Sequence, residues 1–390
     1  MIRSMTISNY RSLGEDVHIS FEPLTVFVGP NGSGKSNVVD AARFLADAMH
    51  MGLSGAITHR HGMGAVRRWS GGHPHNVVIM VHADLQRGGR GTYALEIRGA
   101  SQEEYRIKSE EAVVTTAAGT HRFKVEAGKW IGPTGLRPQV DEQTLALPAV
   151  GGDDRFQPLF RELQSISVYA IFPDNLREPQ KYSPVKPMDR HGSAWASILK
   201  DQPVDTWKPE LLAALGKLTG DVEDIKVEAV ASYLVVRFKH RSTSRRNPKW
   251  FDAAQQSDGT LRVAGILSAL LQEPAVPVLV IEEPELTVHP GAIPLIYDFL
   301  QQGCGRGQVI VTTHSPELLD RIPPEAVRVV TRVDGATQVA PMDGDQRDRV
   351  RAGLLTLGEA LRTEGLRPQL PLPFTDAADD SRSPLARGDA

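Results

Sequence analysis

Four short stretches hold residues whose types and spacing could do phosphate chemistry. Gly29-Pro30-Asn31-Gly32-Ser33-Gly34-Lys35-Ser36 reads G-x-x-x-x-G-K-S, the spacing of a P-loop. Glycines let the backbone wrap closely around a phosphate, so that several N–H groups point inward at a helix N-terminus. Lys35 would reach the β- and γ-phosphates of a nucleotide, and the Ser36 hydroxyl would coordinate Mg²⁺. The run Val278-Leu279-Val280-Ile281 ends in Glu282-Glu283-Pro284-Glu285. Adjacent carboxylates repel unless a cation lies between them, so a buried strand has no structural reason to end this way. Glu282 would hold Mg²⁺, directly or through water, and Glu283 would orient and deprotonate the attacking water. Val309-Ile310-Val311-Thr312-Thr313 delivers His314 at its C-terminal end, where parallel sheets place ligand groups. Ser257-Asp258-Gly259, before an apolar helix, reads either as an everyday N-cap turn or as a second anion site.

The surrounding pattern supplies the elements that must position these residues. Leu24 to Val28 is a short β-branched and aromatic run, read as a buried strand, and Asn37 to Leu45 has helical apolar spacing. Strand, glycine loop and helix together are the context a P-loop requires. Upstream, Ile2, Met5, Ile7, Val17, Ile19 and Phe21 alternate, predicting an antiparallel hairpin that runs into the P-loop strand. Gly52 to His75 reads as loop and short helix, and Val77–Ala83, Thr92–Ile97 and Tyr105–Lys108 as successive strands. Residues 110–155 are weakly patterned. Helices are expected at 194–199 and 211–218, the second closed by Gly220, and strands at 222–230 and 233–238. From 261 onward strands and helices alternate, which predicts a largely parallel sheet with helical cover. One last helix is expected at 354–361, followed beyond Pro371 by a disordered tail poor in apolar residues. The expected division is a head over 1–340, with β hairpin and P-loop in 1–50, an inserted lobe over about 95–225, and the Ser257, Glu283 and His314 segments in 250–335. A helical extension (341–370) and the tail (371–390) follow.

Composition narrows the class. With 390 residues, 41% apolar and 23% charged, the chain can bury a sizeable core. A net charge of −3 gives no global attraction to nucleic acid or anionic membrane. The single cysteine, Cys304, excludes an internal disulfide, and the N-terminus lacks a signal-peptide core. A cytoplasmic protein without a membrane partner is expected.

Order and spacing resemble the ATP-binding-cassette-type ATPase heads of the RecF, Rad50 and SMC superfamily, and most of all the AAA_21-type predicted ATPases related to the OLD ATPase domain. The resemblance rests on Asn9-Tyr10-Arg11-Ser12, Gly29–Ser36, Ser257-Asp258-Gly259-Thr260-Leu261-Arg262, Ile281–Glu285 with His289-Pro290, and Thr312–Pro316. Pro173-Asp174-Asn175-Leu176-Arg177 also looks like that group. It implies an α/β head with an N-terminal antiparallel β lobe and an inserted α+β lobe, and ATP and Mg²⁺ as cofactors. It adds Arg11 and Asn37 to the nucleotide site. It further implies a homodimer sandwiching two ATP molecules, with Ser257 and Gly259 touching the partner's γ-phosphate, His314 sensing that phosphate, and Glu285 to His289 forming the D-loop at the seam. Two departures stand out. Glu282 occupies a position where many such heads carry Asp, and no glutamine is found where the Q-loop is expected, around Trp69-Ser70.

What the ATPase drives is less legible. OLD-type nucleases carry a Toprim domain after the head, and the fifty or so residues after Pro341 leave no room for one, so a separate effector is expected. The resemblance suggests a switch or sensor in anti-phage defence. A RecF-like DNA-repair ATPase and a non-turnover scaffold are the alternatives, with a transporter ATPase last. The basic turn around Arg241, Arg245, Arg246 and Lys249, with Arg237, Lys239, Phe238 and Trp250, reads as a DNA contact or as a solvated charged turn. Arg60, Arg67 and Arg68 are a weaker candidate. His59, His61, His73 and His75 read as a polar loop, since no Cys or carboxylate companion has ligand spacing.

Overall fold

The computed structural model describes residues 1–69, 75–86, 88–99, 104–241 and 249–369. At its centre lies a six-stranded sheet in the order Ala336–Pro341, Val327–Val333, Leu24–Val28, Gln308–Thr313, Val278–Glu282, Ile166–Tyr169. All neighbours are parallel except the first pair, a hairpin. The register aligns Val28 with Thr313, Thr312 with Glu282, and Ile281 with Tyr169. Four segments with chemical content therefore leave the sheet at one edge: the P-loop, the Glu282-Glu283 pair, His314, and the loop after Tyr169.

Both faces of this sheet are covered, which is why its strands read as unbroken apolar runs. Alternation assigns each residue a side. Val278 and Val280 enter one core with Phe44, Leu45, Ile79 and Leu95. Leu279 and Ile281 enter the other with Leu261, Ile266, Trp195 and Phe238. Each such fully buried side chain contributes about 1.5–3 kcal/mol. The first core lies against the P-loop helix and a seven-stranded antiparallel sheet; the second lies against the Asp258–Leu271 helix, which is buried all round from Thr260 to Leu271.

The mixed α/β architecture with an N-terminal antiparallel lobe matches expectation, and the placement of several segments does not. The helix after the P-loop breaks at Gly52, φ 76°, ψ 166°, where the expected boundary falls, and resumes as a short helix to Thr58. The expected inserted lobe over about 95–225 is divided among three sheets. Tyr105–Thr116, Gly119–Glu126 and Lys129–Ile131 extend the N-terminal sheet, Ile166–Tyr169 edges the central one, and Val222–Val230 joins a separate three-stranded sheet with Tyr233–His240 and Lys249–Asp252. Strand alternation says which side chains face inward, and says nothing about which strand lies alongside. The helix Val204–Thr219 ends at Gly220, φ 76°, as its sequence predicts. Beyond Pro341 come Gly344–Arg351 and Leu357–Thr363, two helices where one was expected. The expected tail, 371–390, lies outside the described residues. Among the described residues no helix is long and apolar enough to cross a membrane.

Glu110 ties the N-terminal sheet to the segment that follows it. Its buried carboxyl accepts from the Tyr93 hydroxyl and from the backbone N–H of Ala146 and Leu147. Burial outweighs those bonds and pushes its pKa up to about 7. The folded state therefore holds a proton that the unfolded chain releases near 4.5, so stability falls as pH rises through about 4.5–7, by on the order of 3 kcal/mol. Glu110→Gln is expected to flatten this dependence, measured as unfolding free energy by denaturant at pH 5 and pH 8.

Candidate nucleotide site

The P-loop is shaped from behind. A Cβ on Gly29 would lie 2.1 Å from the Val330 carbonyl oxygen, and one on Gly34 2.1 Å from Thr337 Oγ1. The Val327–Val333 and Ala336–Pro341 hairpin thus demands glycine at both positions whatever sits in front. Gly34 also has φ 106°, a left-handed conformation, where the Lys35–Thr58 helix begins. Thr337 donates to the Ser33 carbonyl at 2.7 Å and lies 2.7 Å from Ser12 Oγ, which accepts from Asn37 Nδ2 at 2.6 Å. Ser12, Ser33, Asn37 and Thr337 form one network that fixes the loop.

On the open side, Pro30, Asn31, Gly32 and Ser36 are exposed, and Ser33 Oγ is buried without a partner. Lys35 Nζ donates to the carbonyls of Gly29 at 2.9 Å and Pro30 at 3.3 Å, curling over the loop that it would leave to reach a phosphate. Burial lowers its pKa, and the charges of Glu283 and Glu285 oppose that shift. A glycine cradle with a caged lysine and an orphaned hydroxyl fits a polyphosphate. The Ser36 hydroxyl and the Glu282 carboxylate are hard oxygen donors of the kind Mg²⁺ takes alongside phosphate oxygens.

Glu283, Glu285 and His314 meet beside Lys35. Glu283 has φ 46°, rare for a residue with a side chain and worth about 1–2 kcal/mol of strain. Its N–H donates to Thr312 O at 2.9 Å, and its carbonyl accepts from Arg262 Nη2 at 2.8 Å. Arg262 also donates to Ile171 O at 2.7 Å, so the helix that starts at Ser257 grips two ends of the sheet edge. Glu285 Oε1 accepts from Thr313 Oγ1 (2.6 Å) and from the N–H groups of His314 (2.9 Å) and Ser315 (3.2 Å). Within its own chain this carboxylate shapes the histidine turn. His314 Nε2 lies 3.6 Å from Glu283 Oε1. Burial, then the Lys35 charge, lowers the His314 pKa against the opposing pull of Glu283 and Glu285, leaving the imidazole neutral at pH 7.

The other expected residues have the following surroundings. Ser257 is exposed and caps its helix, accepting from Thr260 N at 3.2 Å and lying 2.8 Å from Thr260 Oγ1. Gly259 runs against the Thr287 carbonyl, where a Cβ would sit at 3.0 Å. Arg11, φ 50°, faces Asp40 at 3.0 Å. Trp69 follows a segment hydrogen-bonded to Asn9 and Arg11, while Ser70 lies outside the described residues. On the side away from Thr312 the strand of Glu282 pairs with Ile166–Tyr169, and the loop after that strand brings Arg190 to the Glu282 carboxylate. Arg190 Nη2 donates to Glu282 Oε1 at 2.5 Å, an interaction without local signature since 92 residues separate the two.

The basic candidates change character. Arg60 is buried between Asp40 and Asp47 and has no free charge to offer. Arg237 faces Glu228 and Asp252, while Lys239 and Arg241 face Glu223. Phe238 is fully buried, and Trp250 packs under Lys226 at 4.5 Å. Arg245 and Arg246 lie outside the described residues, as does the Lys249 side chain. Of the histidines, His59 is 3.5 Å from Arg43 and His75 is 3.7 Å from Glu15; His73 is outside the described residues.

Two family models match this chain. One, described as "AAA domain, putative AbiEii toxin, Type IV TA system", matches residues 144–320; the other, "AAA ATPase domain", matches residues 1–76. Curated relatives include the chromosome partition protein Smc of Mycolicibacterium paratuberculosis and that of Mycobacterium tuberculosis. Each is 45% identical over 62 residues, 16% of this chain, and the match spans 5% of the relative's length. Among solved structures, an SmcHead bound to the C-winged helix domain of ScpA superposes with TM-score 0.54 at 14% identity, covering 89% of this chain and 99% of that one. The Smc head domain with an extended coiled coil, bound to the C-terminal domain of ScpA derived from Pyrococcus furiosus, gives 0.53 at 12%, covering 90% and 99%. These likenesses establish the fold. The two family models add a likeness to AAA ATPase domains over residues 1–76 and 144–320. The chain has the fold of these Smc heads.

Two outcomes follow from the geometry. Thr337→Val removes the donor to Ser33 and the partner of Ser12, so ATP affinity is expected to fall about 5- to 20-fold, roughly 1–2 kcal/mol, with the fold retained; titration calorimetry beside a melting curve tests it. Since His314 titrates below the usual 6.5, turnover should stay flat as pH falls through 6.5 and decline only at lower pH. An acid limb centred at or above 6.5 would overturn that assignment.

Proposed function

We propose that the chain is one half of an ATP-gated clamp, a homodimer whose two nucleotide sites are each built from both subunits. The observation that carries this reading is the division of the site. Lys35, Glu283, Glu285 and His314 share one electrostatic neighbourhood, whereas the exposed Ser257-Asp258-Gly259 turn makes its hydrogen bonds away from the P-loop, leaving the Ser257 hydroxyl accessible to another chain.

In this reading Gly29 to Asn37 and Arg11 hold ATP, and Ser36 with Glu282 holds Mg²⁺, which when bound neutralises charge on the phosphate oxygens. Lys35 exchanges its own loop's carbonyls for the β- and γ-phosphates. Glu283 takes a proton from the attacking water, aimed by the backbone that Thr312 and Arg262 hold. His314, kept neutral, donates a hydrogen bond toward the γ-phosphate without adding charge beside Lys35. Ser257 and Gly259 of the partner close the site, so ATP binds the closed pair better than the open chain and shifts that equilibrium by the difference in affinity.

The clamp acts as a switch on a separate protein effector. ScpA seated on the two superposed heads supports a protein partner, and the carboxylates facing Arg237, Lys239 and Arg241 leave the DNA alternative with less support. The toxin and toxin–antitoxin description of the matched family model supports a defence setting.

Glu283→Gln is expected to bind ATP, to lose roughly 10²–10⁴-fold in turnover, and to accumulate as a dimer in analytical ultracentrifugation. Mixing Lys35→Ala with Ser257→Arg chains, each inactive alone, should restore turnover by forming one intact composite site. Wild-type turnover in the first variant, or no rescue in the mixture, would sink the clamp.

A further inference from the structure

The loop after the Ile166–Tyr169 strand brings a cation to the carboxylate read above as the metal ligand. Arg190 is held from its backbone, its carbonyl accepting from Ala170 N at 2.9 Å. Asp189 caps the chain at Ala194 N (2.7 Å) and His191 N (3.0 Å), and Gln180 Nε2 donates to Gly192 O at 2.9 Å. The pinned loop aims the guanidinium at Glu282, the 2.5 Å contact being the one hydrogen bond its fork makes among the described residues. Its buried Nε–H has no acceptor. Arg43, on the P-loop helix and paired with Asp47, lies close enough to feel the Arg190 charge.

We propose that Arg190 is a built-in competitor for the divalent cation: its guanidinium occupies Glu282 until metal arrives together with nucleotide phosphates. The proposal rests on the reading of Glu282 as a metal ligand. A dication and a guanidinium on one carboxylate repel each other. Metal alone must displace Arg190 with a single protein carboxylate in return, whereas metal carried by ATP brings phosphate oxygens as further ligands. The freed guanidinium then has phosphate oxygens within its neighbourhood, and its unsatisfied fork suits such acceptors. The head would thus take up the metal–nucleotide complex as a unit and resist loading with metal first.

The test measures Mn²⁺ binding to the full chain without nucleotide, from the electron paramagnetic resonance of free Mn²⁺. Removing the competitor in R190Q, or in R190M should R190Q fail to fold, is expected to tighten Mn²⁺ about tenfold. R190K, which keeps a cation, should stay within about threefold of wild type. Adding a non-hydrolysable ATP analogue should raise Mn²⁺ affinity more in wild type than in R190Q. Unchanged or weaker Mn²⁺ binding in the neutral variants, including no binding in any of them, overturns the competitor role. The control E282Q separates the two readings. If, with the ATP analogue present, Mn²⁺ affinity is the same in E282Q as in wild type, the metal assignment of Glu282 falls and this proposal with it; if E282Q then loses Mn²⁺ while R190Q does not gain it without nucleotide, only the Arg190 proposal fails.

Discussion

The site depends on the register of one parallel sheet. Val28, Thr313, Glu282 and Tyr169 end their strands at the same edge because their ladders align them there, and the first three are each followed at once by a group that could touch a nucleotide. A one-residue slip of Val278–Glu282 would turn Glu282 to the opposite face and move Leu279 and Ile281 out of their core. Two apolar cores, one on either face, therefore enforce the placement of two acids. The buried Arg262 guanidinium adds a brace, joining the carbonyls of Ile171 and Glu283 to the helix that begins at Ser257.

That brace bears on how the parts of the head communicate. Glu283 sits in a left-handed conformation held by hydrogen bonds from both sides, and one of those sides is the helix that presents Ser257. Displacing that helix would strain the backbone of the residue read as the base. On its other flank, Arg177 pairs with Asp258 and reaches Gln256 O, while Asn175 Nδ2 donates to His191 O beside Arg190. The Ser257 turn and the Glu282 carboxylate are thus linked through the loop after Tyr169.

How much of this was legible in the sequence follows from the range of each interaction. Gly29–Ser36, Glu282-Glu283 and His314 are local patterns at strand ends, and the chemistry that requires them also makes them readable. The central strands were legible because a sheet covered on both faces must be apolar throughout. Thr337, Arg190 and the role of Glu285 were not, since each acts on a partner far along the chain or turned an unforeseen way: Thr337 on Ser33, Arg190 on Glu282, Glu285 on the His314 turn. Tyr105–Ile131 went unplaced past Lys108 because its strands carry Arg122, Lys124 and Lys129 outward, and their inward Phe123 and Val125 are too few to stand out. Arg60 misled for the opposite reason. A surface-like residue type there is buried against two half-buried aspartates, and charge counting cannot see the partners.

The hairpin behind the P-loop also sets a clock on synthesis. Gly29 and Gly34 leave room for Val330 and Thr337, and Thr337 carries the bond that fixes the Ser33 carbonyl. The loop is made early by the ribosome, and its backing arrives some three hundred residues later. At about 5–20 residues per second, tens of seconds pass in which the nucleotide motif exists as sequence without existing as a site. A nascent or prematurely ended chain lacking that hairpin lacks the brace behind its P-loop, so the loop takes its braced form only after Thr337 has been made.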